Sequence, residues 1–136
     1  MAIQSVEEVP GLKVTLDQLV YQYDPDQFSE ETPHAFVYFL TIENGSSHTI
    51  QFLGRKWILD YEDGSTTVIE GDGIVGKTPT LAPGESFSYN SFHLSDRNAL
   101  AMGSFFGIDE NDRRVFTRTP PMALHLPPGI AGKEIV

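Results

Sequence analysis

Residues 34–43 read HAFVYFLTIE, and this stretch decides the fold. In an extended chain successive side chains point to opposite faces, and here both faces are apolar. One face would carry Phe36, Tyr38, Leu40 and Ile42, and the other Val37 and Phe39. A strand that is apolar on both faces is typical of the centre of a sheet. We therefore expect residues 34–43 to form a central β-strand.

The chain on either side repeats this extended pattern. Clusters of Gly, Pro, Asn and Asp separate further β-type runs, which occupy residues 12–23, 50–61, 66–70, 85–94, 102–109 and 114–119. The only tryptophan, Trp57, lies in the run 50–61, the third along the chain when residues 34–43 are counted. A tryptophan in the third strand is familiar from sandwich cores. These features predict an all-β protein, an immunoglobulin- or fibronectin type III-like β-sandwich of about seven antiparallel strands.

Two segments depart from the strand pattern. Ser95 is a good N-cap and Gly103 a good stop, which predicts one helical turn that reaches Leu100. Residues 128–136 are predicted to be a flexible C-terminal tail. The rest of the chain, residues 1–127, has the length of one domain with its own core.

Composition restricts the partners. The chain has 9 Lys plus Arg against 19 Asp plus Glu, a net charge of −10, which repels the phosphate backbone of nucleic acids. It has no cysteine, so disulfides, thiolate nucleophiles and cysteine-rich zinc sites are excluded. The longest apolar run is residues 35–40, and the N-terminal residues have no basic flank before an apolar segment. We expect a cytoplasmic protein that binds neither nucleic acid nor membrane.

Residues 71–78 read GDGIVGKT and match two phosphate-binding patterns, GxGxxG and GxxxxGK(S/T). Both patterns need a helix that leaves the glycine loop with its N-terminus directed at phosphate. Pro83 and Gly84 would end any helix here after about one turn. We interpret the match as coincidental and the stretch as a glycine-rich loop between strands.

A weaker anion site stays open in the same loop. Successive N–H groups at Gly71, Gly73 and Gly76, with Lys77 beside them, can form an anion nest without a helix. The like charge of Asp72 opposes this, and glycines more often serve the positive φ angles of a loop. Amides free of internal contacts would favour a ligand site, whereas internally bonded amides would favour a scaffold.

An ordered set of short motifs resembles the ApaG domain family. The residues are Arg55-Lys56-Trp57-Ile58-Leu59, loop 71–76 with Pro79, the turn 81–85, Phe87 with Tyr89, and Met102-Gly103 before an aromatic strand. The resemblance spans residues 10–127. This chain departs from the family pattern at Lys56, where a histidine is usual, and at Lys77, where an acidic residue is usual. The second departure creates the phosphate-loop match.

The resemblance implies a fibronectin-type β-sandwich that serves as a protein-interaction domain in modular proteins. It also associates the chain with cobalt and magnesium efflux, and with genetic linkage to a diadenosine tetraphosphate hydrolase. Neither association assigns chemistry to particular residues.

Catalytic and metal chemistry find little support in the sequence. No serine, histidine and carboxylate form an evident triad. The acidic groups are Asp60, Glu62 and Asp63, and Asp109, Glu110 and Asp112, which we interpret as solvated turn carboxylates because they lack the calcium-loop pattern. The histidines at 34, 48, 93 and 125 do not fall at helical ligand spacing. We therefore predict no enzyme activity, no cofactor and no dedicated metal site.

Our first hypothesis is a non-enzymatic interaction module. Candidate partner-binding residues are Arg55, Lys56, Trp57 and Pro79, because Trp and Arg dominate binding hot spots. The alternative for Trp57 is a place in the core. The aromatics Phe92, Phe105, Phe106 and Phe116 exceed what one core face needs, so any left outside would form a docking surface.

The second hypothesis is a small-ligand binder that uses the glycine-rich loop for pyrophosphate, a nucleotide or a divalent cation. The partner of the interaction module is an unidentified protein. Exposed strand edges allow either a monomer or a sheet-edge homodimer.

Overall fold

The computed structural model describes residues 6–27 and 33–127, which form two β-sheets. The strands are β1 (Glu7–Glu8), β2 (Leu12–Tyr23), β3 (His34–Asn44), β4 (Ile50–Tyr61), β5 (Thr66–Asp72), β6 (Thr80–Leu81), β7 (Ser86–Leu94), β8 (Ala99–Ile108), β9 (Arg114–Arg118) and β10 (Met122–Leu124). Seven of these strands have five residues or more, and β1, β6 and β10 have two or three.

The larger sheet has the order β1-β9-β8-β4-β5, with β10 paired to β8 and β6 paired to β4. The smaller sheet has the order β2-β3-β7, so β3 is central, as its two apolar faces predict. All pairings are antiparallel except the two-residue pairing of β1 with β9. The all-β sandwich prediction is confirmed, with seven longer strands and three short ones among the described residues.

The core lies between the sheets and centres on aromatic rings. The Trp57 ring on β4 is only 1% exposed. It lies against Tyr38 and His93 of the smaller sheet, with ring centroids 5.0 and 4.7 Å away. On its own sheet it covers Gly103, where an added Cβ would be 2.8 Å from the indole. Alternation along β4 therefore places Trp57 in the core and Lys56 and Ile58 on the opposite face.

The helical turn predicted at Ser95 is wrong. The Ser95 hydroxyl donates to the carbonyl of Arg97 and accepts from the Arg97 N–H, which closes a local turn instead. Ala99 and Leu100 already belong to β8, where they pair with β4 and β10. The Ser95 hydroxyl is used by hydrogen bonds within its own loop instead of capping a helix. Cross-strand pairing then makes the following residues a strand.

No helix in residues 6–27 and 33–127 is long and apolar enough to cross a membrane. The predicted tail, residues 128–136, lies outside the described residues.

The core aromatic cluster makes stability depend on pH. Burial lowers the pKa of His93 from 6.5 to about 4. Between these values the unfolded chain binds a proton that the folded protein does not, so the free energy of unfolding falls as pH falls from 6.5 towards 4. One such proton contributes at most about 1.4 kcal/mol per pH unit. His93→Phe should flatten this slope in urea unfolding followed by Trp57 fluorescence.

His125→Phe is the matched control, because His125 is exposed. It should keep the slope of the wild type between pH 6.5 and 4. Equal slopes for His93→Phe and the wild type would contradict the role assigned to His93.

Candidate functional site

The glycine-rich loop after β5 uses its backbone groups internally. The Gly73 N–H donates to the Leu53 carbonyl at 2.7 Å. Ile74 and Lys77 exchange two hydrogen bonds, from Ile74 N to Lys77 O at 2.8 Å and from Lys77 N to Ile74 O at 3.0 Å. The Ile74 side chain is fully buried in the core. This is the internally bonded arrangement expected of a scaffold loop.

The loop tip is a tight two-residue turn. Val75 and Gly76 have φ values of +46° and +79°, the signs that a type I′ hairpin turn requires. Gly76 adopts this conformation freely. Val75 does so against the preference of a β-branched side chain, and its side chain is exposed rather than packed.

Arg55 fixes the start of the loop. One guanidinium nitrogen, Nη1, donates to the carbonyls of Asp72 at 2.8 Å and Gly73 at 3.1 Å. The guanidinium also lies over Gly71, where an added Cβ would be 2.8 Å from it. Arg55 is therefore a positioning residue for the loop, and Gly71 is the residue that leaves room for it.

The other predicted site residues occupy different places. Trp57 is in the core, as the alternative interpretation held, so its ring is not presented to a partner. Pro79 is partly buried, and its carbonyl accepts the Phe52 N–H at 2.9 Å. Lys77 is exposed at the loop base. Lys56 lies on the outer face of the larger sheet, with its Nζ 3.6 Å from the Glu70 carboxylate.

The outer face of the larger sheet carries an apolar surface, which we call the outer stripe. Its members are Val68 on β5, Ile58 on β4, Met102 and Phe106 on β8, and Phe116 on β9. Ile58 pairs with both Val68 and Met102 across the sheet. Val68 is 53% exposed and Met102 is 42% exposed.

The outer stripe includes a shallow groove. It has a volume of about 310 Å³ and is lined by Ile58, Met102, Phe106 and Phe116, with Val6, Lys56 and Arg118 among the remaining residues. The Phe106 and Phe116 rings are 6.1 Å apart, and the Arg118 guanidinium lies 5.4 Å from the Phe116 centroid. Of the four surplus aromatics, these two rings face outward, Phe92 on β7 is also exposed, and Phe105 is buried.

Ile58 and Met102 belong to the family motifs but were not among the predicted binding residues. The signal was present, because each follows by one position a residue that faces the core, Trp57 or Ala101. Alternation then sends each of them outward.

A second polar group joins residues that are distant in sequence. His48 Nδ1 is 2.6 Å from Glu110 Oε1, and the ligand atoms of His48, Asp109 and Glu110 all lie within 4.8 Å of one another. Despite its burial, hydrogen bonds from the Arg113 and Asn111 N–H groups and the Arg113 side chain lower the pKa of Asp109. The hydrogen bond from His48 is the main cause that lowers the pKa of Glu110.

The Asp109 carboxylate accepts three hydrogen bonds within its own turn. Its Oδ1 accepts from the N–H groups of Asn111 and Arg113, and its Oδ2 accepts from Arg113 Nε at 2.8 Å. A cation at this position would compete with the Arg113 guanidinium for Oδ2. The group is therefore best explained as the hydrogen-bonded turn that joins β8 to β9.

The sequence profile of the ApaG domain matches residues 25–108, which include β3 to β8. The chain belongs to the ApaG domain family. Protein ApaG of Vibrio cholerae serotype O1 is 32% identical over 121 residues, with 88% of this chain and 94% of the relative covered.

Solved structures of similar proteins agree with the sandwich. The crystal structure of structural-genomics target SoR45 has a TM-score of 0.75 at 26% identity and covers 90% of this chain and 91% of that one. An ApaA protein from Bordetella pertussis has a TM-score of 0.67, also at 26% identity, with 91% and 99% covered. The two-sheet architecture of this ApaG-family chain is therefore shared along most of its length.

The turn at Val75 gives a test of the loop as a scaffold. Val75→Asn places an asparagine before Gly76, the pair that a type I′ turn prefers. Because the substitution relieves an unfavourable left-handed conformation, we expect the free energy of unfolding to rise by about 1 kcal/mol. Urea unfolding measures the change.

Val75→Ala is the control, because it keeps a Cβ without the tolerance of asparagine for positive φ. It should give a smaller gain than Val75→Asn. A loss of stability in Val75→Asn would mean that the valine side chain contributes more than its exposure indicates.

Proposed function

We propose that this ApaG-family domain is a non-enzymatic protein-interaction module that docks a partner on the outer stripe. The observation that carries the proposal is the row Val68, Ile58 and Met102, apolar and accessible on three neighbouring strands. The solvated face of an antiparallel sheet is normally polar. Apolar surface with a polar rim marks interaction sites on soluble proteins.

The rim of the outer stripe has the composition of a protein-binding surface. Lys56 and Arg118 border the groove, and Arg118 also pairs with Glu8 at 3.7 Å. Aromatic residues, Met and Arg are enriched at interfaces, with charged groups at the edge rather than the centre. The family association with cobalt and magnesium efflux would then act through the partner, rather than through ions bound by this chain.

Two of the four histidines, His34 and His93, are poorly placed for catalysis. His93 is 5% exposed and packs on the Trp57 and Tyr38 rings. His34 is buried beside Tyr21 and Tyr23, and that burial lowers its pKa. A general base must reach a substrate, and both of these imidazoles are enclosed by aromatic side chains.

A charge introduced on the outer stripe tests the docking face. Met102→Glu places a carboxylate at the centre of the stripe, whereas Phe92→Glu does the same on β7 of the smaller sheet at similar exposure, 50% against 42%. In quantitative affinity capture from the source organism, we expect a partner retained by the wild type and by Phe92→Glu. Met102→Glu should lower the affinity for this partner at least about tenfold, which corresponds to ~1.4 kcal/mol.

Equal loss with both substitutions, or with neither, would contradict docking on the outer stripe. Hydrogen exchange on the recovered complex provides the direct readout. We expect amide exchange to be slower in β4 and β8 of the complex than in the free protein.

The small-ligand alternative has less support, because Gly73, Ile74 and Lys77 already use their N–H groups inside the protein. We expect ATP, ADP and pyrophosphate, with and without magnesium, to give no binding tighter than about 100 μM by calorimetry. Lys77→Ala is the comparison. Tight binding that this substitution weakens tenfold would restore the loop as an anion site.

A further inference from the structure

Strand β5 forms a free edge of the larger sheet. It pairs with β4 along its whole length, from Thr66 opposite Asp60 to Asp72 opposite Gly54. On its other side it pairs with no strand of residues 6–27 and 33–127. Six of its seven residues are exposed. In an antiparallel strand alternate residues direct N–H and C=O groups away from the paired neighbour, so β5 offers a row of unpaired backbone groups.

Strand β5 has few of the features that usually protect such edges. Proteins blunt exposed edges with charged side chains, above all lysine, and with proline or bulges. The β5 sequence TTVIEGD has no lysine or proline, its register with β4 is unbroken, and its charged residues, Glu70 and Asp72, lie near its end. Strand β7 at one edge of the smaller sheet also has no lysine or proline and an unbroken register, whereas β2 at the other edge has a bulge at Asp17. The other end of the larger sheet is the two-residue β1.

Both faces of β5 carry exposed apolar side chains. Val68 is part of the outer stripe beside Ile58. Ile69 pairs with Trp57, lies on the opposite face and is 38% exposed. Cross-strand contacts between β-branched residues stabilise a sheet. An added strand with β-branched residues would therefore meet apolar surface on either face.

Acidic side chains lie at both ends of β5. Asp60 on β4 lies opposite Thr66, the first residue of β5, and Glu62 and Asp63 lie in the turn between the two strands. Glu70 and Asp72 are at the end of β5. Arg97 pairs with Asp63 at 2.6 Å, and Lys56 lies 3.6 Å from Glu70.

Three of these carboxylates, on Asp60, Glu62 and Asp72, have no cationic partner among the described residues. Arg55 donates to the backbone carbonyl of Asp72 and forms no ion pair with its carboxylate among the described residues. The edge therefore complements an extended segment with basic residues at its ends. It disfavours a second copy of this chain, which also carries −10.

We propose that β5 is a strand-addition site, where an extended, β-branched segment of a partner protein with basic flanking residues pairs with the β5 edge. Backbone hydrogen bonds supply affinity in this mode, and side-chain contacts supply selectivity. The inference rests on the proposed function and names the partner's chemistry. The added strand would continue the larger sheet beside Val68 and so extend the outer stripe.

The probe is a blocked nine-residue peptide of alternating threonine and valine with a lysine at each end. Binding is followed by amide chemical shifts of the labelled protein up to about 1 mM peptide, where a Kd of that size gives half occupancy. We expect the largest shifts in β5. The same peptide with glutamate ends, or with alternate backbone nitrogens methylated, should bind at least tenfold more weakly.

Two matched variants locate the site. Val68→Lys adds a cation to the β5 edge, whereas Phe92→Lys makes the same change on β7, the edge of the smaller sheet. Val68→Lys should weaken peptide binding at least tenfold, and Phe92→Lys should not. No binding to the wild type, equal binding by Val68→Lys, or shifts confined to β7 would overturn the proposal. So would a stable homodimer of the free chain that Val68→Lys dissociates.

Failure here and failure of the proposed function can be told apart. If Met102→Glu abolishes partner capture while the peptide fails to bind β5, strand addition is wrong and the interaction module stands. If the peptide binds β5 but capture is independent of Met102, strand addition is supported and the outer stripe is not the docking face.

Discussion

The burial of Trp57 between the sheets is the constraint on which the rest of the structure depends. Its ring joins β4 to Gly103 of β8 and to Tyr38 and His93 of the smaller sheet. It also fixes the phase of β4, since a slip of one residue would bring Lys56 or Ile58 into the core. Once Trp57 points inward, Ile58 must point outward. The outer stripe is thus a consequence of the core.

The same phase explains why the glycine loop is a scaffold. Arg55 lies two positions before Trp57 and so leaves β4 on the same side, where its guanidinium reaches the carbonyls of Asp72 and Gly73. Ile74 then inserts into the core and closes the turn through Lys77. Phosphate loops need amides that point at an open site. Here the amides of Gly73, Ile74 and Lys77 donate to carbonyls within the protein. The match to the phosphate-loop pattern therefore does not create a phosphate site.

Alternation predicted the long strands well, because every second residue of such a strand faces the core and has to be apolar. The strands β1 and β6 have two residues each, too few to show a period. The turn at Ser95 misled because a good cap residue also closes ordinary loops. His48 and Glu110 are 62 residues apart, and only the packed sheet brings them together. The outer stripe was predicted only in part. An excess of aromatic residues over what one core face needs indicates that some rings are exposed, but it does not identify which ones.

The larger sheet presents a physical contrast that favours an interaction role. A strand that is apolar on both faces usually lies in a sheet covered on both sides. Strand β4 has this pattern at Trp57 and Ile58, yet the smaller sheet covers only the Trp57 side. Val68 of the free β5 edge pairs with Ile58 and lies on this uncovered side. A partner strand on β5 would add backbone hydrogen bonds, which are indifferent to sequence, whereas Val68, Ile69 and the flanking carboxylates would discriminate among strands. The acidic charge of the whole chain has two consistent effects on this edge. It disfavours pairing with a second copy of the chain and favours a basic partner.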